Sequence, residues 1–596
     1  MKFQPNEVQA RSRAAAAVLM IVMFFLVGSF FRAQVVLHDA YRLAAEENRL
    51  REVPLPSPRA LIRDRHGAVI AENVPGYTVS VLAPRPDSLR AVLERVTTVI
   101  PMNEEQVEAA MRRYRRSATR PTVILNSASF DIVSRLEEHR VLFPGLIIQE
   151  TPKRFYPDGP AVAALVGYTG EVSEDELRQP AYAAYKPGQQ VGKGGIERQY
   201  EDRLRGREGM RFVEVDARGR VVRDESTREA ALPEPAPPLI TNIDLDLQRF
   251  VAATFGDSLA GAVVALDPAT GEVLALHSAP TFDPNRFIGG IPAAYYSQLL
   301  NDPRRPLLNK ALQGRYPPGS TWKLATAVTA LEQGVIKMDD RMPVPCTGGY
   351  QYGNRFFKCH LARGHGSLTL AGAIEQSCDV YFYQLALKMH LPQLVAGGVR
   401  LGGGGRSGID LPNDSRPEYP TEPVAEYFNR KYGARGWAGD GPALNLAIGQ
   451  GENAQTVVNV ARFYTALANG GEATQPRVVH GEPVKARLFT LDSATVAGLR
   501  GALAGVVSRG TAASARISGV VLSGKTGTAQ SGRKVNGVEL NHAWFAGYAP
   551  ADQPKIVVAV MLEYGGHGTR AAQIASRVIE HYLKVSTVQF IKTEGE

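Results

Sequence analysis

Three short groups of residues in the C-terminal half of the chain have the types and spacing that nucleophilic catalysis requires. The first is Ser320-Thr-Trp-Lys323, which follows Tyr316-Pro-Pro-Gly319 and opens a helical pattern. The spacing predicts Lys323 on the same helix face as Ser320, where a desolvated lysine can act as base for a serine nucleophile. Amide groups at the helix start can also stabilise an oxyanion. Taken alone, the pair is equally consistent with helix capping and a solvated lysine.

The second and third groups supply a relay and an anion site. In Ser377-Cys-Asp379, a hydroxyl can pass a proton onward, although a surface serine beside a capping aspartate has the same sequence. On a predicted strand, a lysine and two hydroxyls can bind a carboxylate, and a glycine lets a substrate backbone approach; these residues are Lys525, Thr526, Gly527 and Thr528. Because a lone lysine on a β-turn would look similar, the ordered conjunction of the three groups carries the prediction.

The elements that must position these groups form one pattern. Apolar runs at 262–266 and 272–277 are joined by a glycine-containing turn, which predicts a hairpin. Further strands are predicted at 520–526, 543–548 and 556–563, and helices at 321–333, 370–389, 454–468 and 569–583. Strands at both ends of the region with helices between them favour an α+β domain, with one antiparallel sheet flanked by helices.

The N-terminal region predicts a membrane anchor. Ala14 to Phe31 contains no charged residue, and this is about the minimum length for a spanning helix. Lys2, Arg11 and Arg13 precede it, so the positive-inside rule places the N-terminus in the cytoplasm and the remainder outside. A cleaved signal peptide is the rival interpretation, but the run is long and lacks a small-x-small cleavage site. No second span of this kind is present in the sequence.

Composition narrows the remaining classes. The 596 residues, with 44% apolar and 21% charged side chains, are those of an ordinary folded protein of about three domains. The net charge of +9 is not concentrated in a basic block, which argues against a nucleic-acid partner.

A second region lies between the predicted anchor and the catalytic groups. A helical stretch is predicted at 37–51. Residues 59–230 mix strand-like runs such as 77–82 with helical runs such as 104–115, and they hold no catalytic cluster. The proline-rich segment Pro233 to Pro238 then predicts a domain boundary.

The three cysteines lie within 33 residues of one another. Cys346, Cys359 and Cys378, together with His365, offer the three thiolates and one imidazole of a closed structural zinc site. A disulfide with one free thiol remains the alternative, and His360 and His365 can equally be loop histidines. We expect zinc to be structural, with no cofactor required for catalysis, and to hold the helix that carries Asp379.

The three motifs together resemble those of the class B penicillin-binding proteins, and most closely the elongation-specific penicillin-binding protein 2 group. The resemblance extends over Arg59–Gly67, Gly192–Gly206, Thr241–Gln248 and Ala447–Gly451. It implies a cytoplasmic tail (1–13), an anchor (14–32), a non-catalytic pedestal (33–238), a transpeptidase domain with a five-stranded sheet (239–588) and a C-terminal tail (589–596). It also implies a location in the bacterial inner membrane, with the bulk of the chain in the periplasm.

The chemistry implied by the resemblance is D,D-transpeptidation of peptidoglycan stem peptides. Ser320 would attack the penultimate D-Ala carbonyl, Lys323 would take its proton, Ser377 would relay it and Asp379 would orient the site. Lys525, Thr526 and Thr528 would hold the terminal carboxylate, and the amides of Ser320 and Thr528 would hold the oxyanion. β-Lactams would acylate Ser320. The implied partners are a RodA-type glycan polymerase and an MreC-type scaffold.

Other functions stay open at this point. Many relatives carry Asn where this chain has Asp379, and an ionised Asp accepts but does not donate a hydrogen bond; Asp favours the elongation type over the septal type. A D,D-carboxypeptidase would use the same residues with water as acceptor. A class A β-lactamase would need a glutamate where Gly441 stands. A non-enzymatic scaffold or a β-lactam sensor fits poorly with a complete set of motifs and one span.

Overall fold

The computed structural model describes residues 5–39, 41–42, 50–116, 120–215, 221–223, 230–256, 258–421, 423–433, 437 and 439–593. The chain begins with the helix Pro5–Phe31, which continues as one π-helical turn over Arg32–Val36. The stretch Gln9–Val36 has a mean hydropathy of 2.5, and its most apolar part buries no side chain against the described part of the chain. Within the described ranges it is the one helix long and apolar enough to cross a membrane.

A mixed α/β pedestal follows the N-terminal helix. Its strands are Leu50–Leu55, Ile62–Arg63, Val69–Val81, Thr122–Ala128, Leu146–Phe155, Thr169–Glu171, Gln190–Gly192, Gly209–Val215, Val221–Arg223 and Leu239–Ile240. The long strand Val69–Val81 is the centre of the largest pedestal sheet, because it pairs antiparallel with three others. The strand Leu50–Leu55 instead pairs with Gly209–Val215 in a separate sheet.

Short helices complete the pedestal. They are Pro86–Val99, Glu104–Arg116, Phe130–Glu138, Ala163–Val166, Glu174–Leu177, Gly195–Gln199 and Glu201–Leu204, with 3₁₀ turns at Arg140–Leu142, Gly159–Ala161 and Pro180–Tyr182. The first three cover one face of the sheet around a small apolar core that includes Val79, Leu93 and Leu136. Apolar residues at helical spacing in Pro86–Val99 form that buried stripe, which is why the segment folds as an amphipathic helix.

The C-terminal domain is built on one five-stranded antiparallel sheet, as the sequence predicts. Its strands lie in the order Val273–Ala279, Gly261–Leu266, Ile556–Leu562, Val538–Ala549 and Ser523–Val535. Gly261–Leu266 and Ile556–Leu562 are buried along their whole lengths, which explains their continuous apolar sequences. Ser523–Val535 is an edge strand, and therefore one side of its backbone has no neighbouring strand.

Helices pack against both faces of this sheet. They are Leu245–Phe255, Ala293–Asn301, Lys323–Glu332, Leu370–Glu375, Asp379–Arg400, Val424–Tyr432, Gly441–Ala447, Val457–Ala468, Ser493–Ser508 and Gly568–Thr593, with 3₁₀ turns at Pro284–Phe287, Gly319–Thr321 and Ala513–Ala515. Two small hairpins pair Gly349–Tyr352 with Arg355–Lys358 and Glu472–Thr474 with Lys485–Arg487. The last helix continues over residues 589–593 of the predicted C-terminal tail.

Several boundaries differ from the sequence-based expectations, and three of the differences follow. The predicted helix 370–389 is interrupted at 376–378, because Ser377 adopts a left-handed backbone conformation with φ 57°. The predicted strand 520–526 instead begins at Ser523 and runs nine residues further, to Val535. The predicted helix 37–51 is wrong at its end, since Leu50 and Arg51 belong to a strand; its residues 40 and 43–49 lie outside the described part of the chain.

A buried ion cluster joins the two pedestal stretches that the sequence singles out. Arg59 donates to Glu197 Oε2 at 2.7 Å and to Glu201 Oε1 at 3.0 Å. Arg154 donates to the other Glu197 oxygen at 2.6 Å, and the Tyr156 hydroxyl donates to the same oxygen at 3.2 Å. Glu197 has no exposed side-chain surface, so this cluster holds the base of the pedestal together next to the C-terminal domain.

Candidate active site

Ser320 lies in a tight turn in front of the helix Lys323–Glu332. Gly319 has φ 54°, and its amide donates to the Gly449 carbonyl at 3.0 Å. A Cβ on Gly449 would lie 2.2 Å from the Gly319 carbonyl oxygen, and φ at Gly449 is 72°. Because both glycines are required for this close approach, the segment 447–451 fixes the position of the nucleophile turn. Ser320 itself is half-buried.

Lys323 is fully buried and holds the second motif. Its Nζ donates to Asp379 Oδ1 and to the Ser377 carbonyl, both at 2.7 Å, and lies 3.3 Å from Ser377 Oγ. Among the described residues, no hydrogen bond joins Lys323 to the Ser320 hydroxyl. Apo sites often have such loose nucleophile–base geometry and tighten with substrate, so the arrangement is compatible with Lys323 as base.

The break in the helix at Ser377 places the second motif against Lys323. Since Ser377 is left-handed and Asp379 begins the next helix, the Ser377 hydroxyl and carbonyl and the Asp379 carboxylate all reach the lysine. Burial alone would raise the pKa of Asp379. The Lys323 ammonium and the hydrogen bonds from His360 and Lys323 together outweigh that burial and hold the pKa well below its usual range. Asp379 is therefore an anion and the counter-ion of Lys323.

The third motif lies at the start of the edge strand. Lys525 is fully buried, and its Nζ donates to the Thr526 carbonyl at 3.2 Å. Its burial, followed by repulsion from Lys323, lowers the pKa of Lys525 well below the ordinary lysine value. The Thr526 hydroxyl bonds the Thr511 hydroxyl, whereas Thr528 is exposed. The two lysines are thus close enough to interact, with the exposed threonine beside them.

Gly527 has a different neighbour from the one expected. The sequence predicts that this glycine makes room for a substrate backbone. In the structure, a Cβ at Gly527 would lie 2.8 Å from the Pro318 carbonyl and 3.1 Å from Trp544 Cβ. Its lack of a side chain therefore lets the nucleophile turn pack directly against the strand, which sets the distance between the first and third motifs.

The four predicted metal-binding side chains come together. One donor atom each from Cys346, Cys359, His365 and Cys378 lies within 4.8 Å of the others, and the three thiols are free and buried. The His365 Nδ1 atom is 3.6 Å from Cys346 Sγ and 3.5 Å from Cys359 Sγ. A tetrahedral zinc site with Zn–S bonds of about 2.3 Å needs donors about 3.8 Å apart, so the set fits the ion.

Three residues of the site have roles that the sequence does not reveal. Gly449 fixes the nucleophile turn, Thr511 bonds the Thr526 hydroxyl, and the His360 amide donates to Asp379 Oδ2 at 3.0 Å. The quoted stretch 447–451 contains Gly449 and could have drawn attention to it. The other two contacts come from loops that lie 19 residues before Asp379 and 15 residues before Thr526, and no short motif in the sequence predicts them.

The geometry supports acyl transfer by a serine nucleophile. A half-buried hydroxyl at a helix start stands beside a buried lysine, a relay hydroxyl and the unpaired edge of a sheet. The fixed helix start and the strand amides can supply donors to a tetrahedral intermediate, and the edge can pair with an extended peptide. These are the parts that attack on an acyl-peptide substrate requires.

Comparisons with known proteins agree with this geometry. The family model of the penicillin binding protein transpeptidase domain matches residues 261–580, and that of the penicillin-binding protein dimerisation domain matches residues 54–233. Peptidoglycan D,D-transpeptidase MrdA of Acinetobacter baumannii is 32% identical over 96% of this chain and 87% of that protein.

Solved structures show the same fold. The complex of penicillin-binding protein 2 with MreC from Helicobacter pylori has a TM-score of 0.77 and 26% identity, covering 90% of this chain and 99% of that one. A peptidoglycan synthase complex that coordinates polymerization and crosslinking gives a TM-score of 0.66 and 28% identity, covering 96% of this chain and 97% of that one. The chain therefore belongs to the penicillin-binding protein transpeptidases, in the penicillin-binding protein 2 group.

Proposed function

We propose that this protein is a peptidoglycan D,D-transpeptidase that cross-links stem peptides during cell elongation through an acyl-enzyme on Ser320. The observation that carries the proposal is the single hydrogen-bonded unit formed by Lys323, Ser377 and Asp379 beside the Ser320 turn. The kinship with MrdA proteins over nearly the whole chain supports the elongation type. The penicillin-binding fold supports acylation of the same serine by β-lactams.

The reaction begins when Ser320 Oγ attacks the carbonyl of the penultimate D-Ala. Lys323 pairs with Asp379 as an ammonium in the free enzyme, so it must release that proton before it can take up the proton of Ser320. The bond to the terminal D-Ala then breaks as that residue's amine takes up a proton. Ser377 Oγ, 3.3 Å from Lys323 Nζ, provides the second station for this proton. The amine of a neighbouring stem peptide then attacks the ester, and the bond between Ser320 Oγ and the acyl carbon breaks. The proton lost by that amine passes through the same groups to Ser320 Oγ.

Substrate binding uses the edge strand. An extended stem peptide can pair with the free side of Ser523–Val535, with the exposed Thr528 hydroxyl next to its terminal carboxylate. Thr526, Gly527 and Lys525 complete this proposed carboxylate site. Because Lys525 is buried, its contribution is the electrostatic potential that it and Lys323 create, rather than surface contact.

The activity is tested with full-length protein in detergent and uncross-linked glycan strands that carry pentapeptide stems. We expect cross-linked dimers together with released D-Ala, and neither product with Ser320→Ala. Release of D-Ala with tetrapeptides and without dimers would identify a D,D-carboxypeptidase instead. In cells, depletion should produce rounding because side-wall growth stops, whereas filaments would identify the septal type.

We also propose that a structural zinc ion binds Cys346, Cys359, His365 and Cys378. The donor distances and the burial of the three thiols support this assignment over a disulfide. When bound, the ion would cross-link the loops that precede the helix Asp379–Arg400. Cys378 adjoins Asp379, and Cys359 adjoins His360, whose amide bonds the Asp379 carboxylate. The ligand residues thus support the counter-ion of Lys323 from two sides, and catalysis itself needs no metal.

For its location, we infer a single-pass inner-membrane protein with a cytoplasmic N-terminus. The apolar helix Gln9–Val36, with Arg11 and Arg13 in its first turns and Lys2 before it, supports this topology. Protease added to spheroplasts should then digest the folded domains and leave a small membrane-bound fragment. Full protection in intact spheroplasts would contradict the orientation.

The proposed protein partners bind outside the active site. Similar chains occur in a complex with MreC and in a peptidoglycan synthase complex. We therefore propose an MreC-type scaffold on the pedestal and a RodA-type glycan polymerase on the anchor and pedestal of this chain. Co-purification of each partner with full-length protein, and its loss when residues 33–238 are exchanged for an unrelated pedestal, tests both contacts.

A further inference from the structure

The pedestal contains a cavity that the proposed reaction does not use. It has a volume of about 200 Å³, is open to solvent on one side, and lies between the sheet strands, the loop after residue 182 and the chain around Gly206. A single water molecule needs about 10–15 Å³ on the same measure, so the cavity holds many times that volume. Pockets for drug-sized ligands begin at about 300 Å³. The pedestal cavity is smaller, so a molecule that fills it must be smaller than a typical drug.

Positive charge dominates the cavity wall. Seven cationic side chains line the cavity, whereas only one acidic side chain in its wall, Glu208, is found among the described residues. The cations are Arg59, Arg113, Arg120, Lys153, Arg154, Lys186 and Arg205. Four of them pair with carboxylates of the surrounding protein. Lys153, Lys186 and Arg205 form no ion pair with any residue in the described part of the chain. The cavity therefore carries uncompensated positive charge.

Buried polar groups in the same wall lack partners. The Arg154 side chain is only 2% exposed, and its Nη2 has no hydrogen-bond partner among the described residues. The same holds for Thr122 Oγ1 and Gln190 Oε1, both on residues that line the cavity. An unsatisfied buried donor costs about 1–3 kcal/mol, and such groups in a native protein call for an explanation.

From these observations we propose that the pedestal cavity is a binding site for a small oxyanion-bearing molecule, such as a phosphate or a compact carboxylate. Lys153, Lys186 and Arg205, which form no ion pair among the described residues, supply the attraction and the hydrogen-bond donors. Arg154 Nη2 and Thr122 Oγ1 have almost no surface exposed to the cavity, so they add donors only if the wall rearranges around the anion. The site is separate from Ser320, because the cavity is lined by pedestal residues and by Ile288. Arg59 and Arg154 belong both to the cavity wall and to the ion cluster around Glu197. A bound anion would therefore interact with the same arginines that hold the base of the pedestal together.

Calorimetric titration of the full-length protein in a neutral detergent tests the proposal. The probes are inorganic phosphate and citrate, at matched ionic strength set with chloride. We expect saturable binding of at least one probe at one site per chain; the preferred probe distinguishes a phosphate from a carboxylate ligand. The double variant Lys153→Ala/Arg205→Ala should bind at least about tenfold more weakly, because two free charges are lost.

Two further variants separate binding from folding. Arg112→Ala removes an exposed pedestal cation outside the cavity and should leave affinity unchanged. Lys153→Gln/Arg205→Gln keeps two long polar side chains but removes both charges, so affinity should fall as in the alanine double variant. Labelling of Ser320 by a fluorescent penicillin shows that each variant is folded. Absence of saturable binding, or equal affinity in the double variant and wild type, would overturn the proposal.

Discussion

The Lys323 ammonium lies 2.7 Å from Asp379 Oδ1 in a site from which water is nearly excluded. The lysine comes from the helix behind the nucleophile, and the aspartate begins the helix that follows the Ser377 break. This one contact therefore joins the first and second motifs. It also gives Asp379 a role that needs only a negative charge, namely to neutralise a buried lysine.

Replacing Asp379 should show how strongly the buried Lys323 charge depends on its counter-ion. Asp379→Asn leaves the Lys323 charge buried without a counter-ion, and breaking such a pair costs about 3–5 kcal/mol. The thermal midpoint should fall by at least about 5 °C, and acylation by penicillin should slow. Asp339→Asn, at an exposed aspartate, is the matched control. Recovery of stability in Lys323→Met/Asp379→Asn would confirm the pairing, and an unshifted midpoint in the single variant would refute it.

Gly527 gives a test of the contact between motifs. A Cβ there would press on the Pro318 carbonyl and move the nucleophile turn, and displacements of about 1 Å can cost on the order of 100-fold in rate. We expect Gly527→Ala to slow acylation of Ser320 by roughly this factor, as followed by stopped-flow fluorescence. Gly501→Ala, where a Cβ meets open space within a helix, should acylate like wild type. Equal rates for both variants would show that the turn does not depend on Gly527.

The sequence predicts the catalytic residues and the sheet because both depend on short patterns. Alternation and apolar runs define the five strands, and motif spacing selects Ser320, Lys323 and Lys525. The break at Ser377 is not predictable in this way, since a non-glycine residue with positive φ is held by its surroundings and not by its own preference. The same reason applies to the His360 and Thr511 contacts, which depend on how distant loops pack.

The pedestal cluster predicts a pH-dependent stability. Burial opposes ionisation of Glu197, but Arg154 and Arg59 outweigh it and hold its pKa below the usual range. A carboxylate with a lowered folded-state pKa stabilises the fold above its unfolded pKa, near 4.3, and loses this contribution as pH falls through the folded value. Glu197→Gln should therefore lower the thermal midpoint at pH 7, with the gap to wild type shrinking below about pH 4.

The exposed substitution Glu105→Gln is the control for this measurement and should follow wild type at every pH. A Glu197→Gln gap that is constant between pH 7 and pH 3 would mean that the carboxylate charge is not what stabilises the cluster. A gap that widens on acidification would contradict the sign of the pKa shift.

Metal analysis tests the zinc proposal. Purified full-length protein should contain one zinc ion per chain, and Cys346→Ser and His365→Ala should lose it and acylate more slowly, because the loops that hold Asp379 loosen. His480→Ala, at an exposed histidine, should keep the metal. Zinc below about a tenth of an equivalent with intact activity would refute the assignment. Only one titratable thiol in unfolded protein would indicate the disulfide instead.

Every step of the proposed reaction depends on Ser320 as the nucleophile, and peptide mapping of a β-lactam adduct tests this most directly. Wild type and the exposed-serine control Ser297→Ala should each carry one stable adduct, on the peptide that contains Ser320, whereas Ser320→Ala should carry none. Rapid turnover of the drug by wild type would point to a β-lactamase. A covalent adduct on Ser320→Ala, or one on another residue of the wild-type protein, would contradict the mechanism.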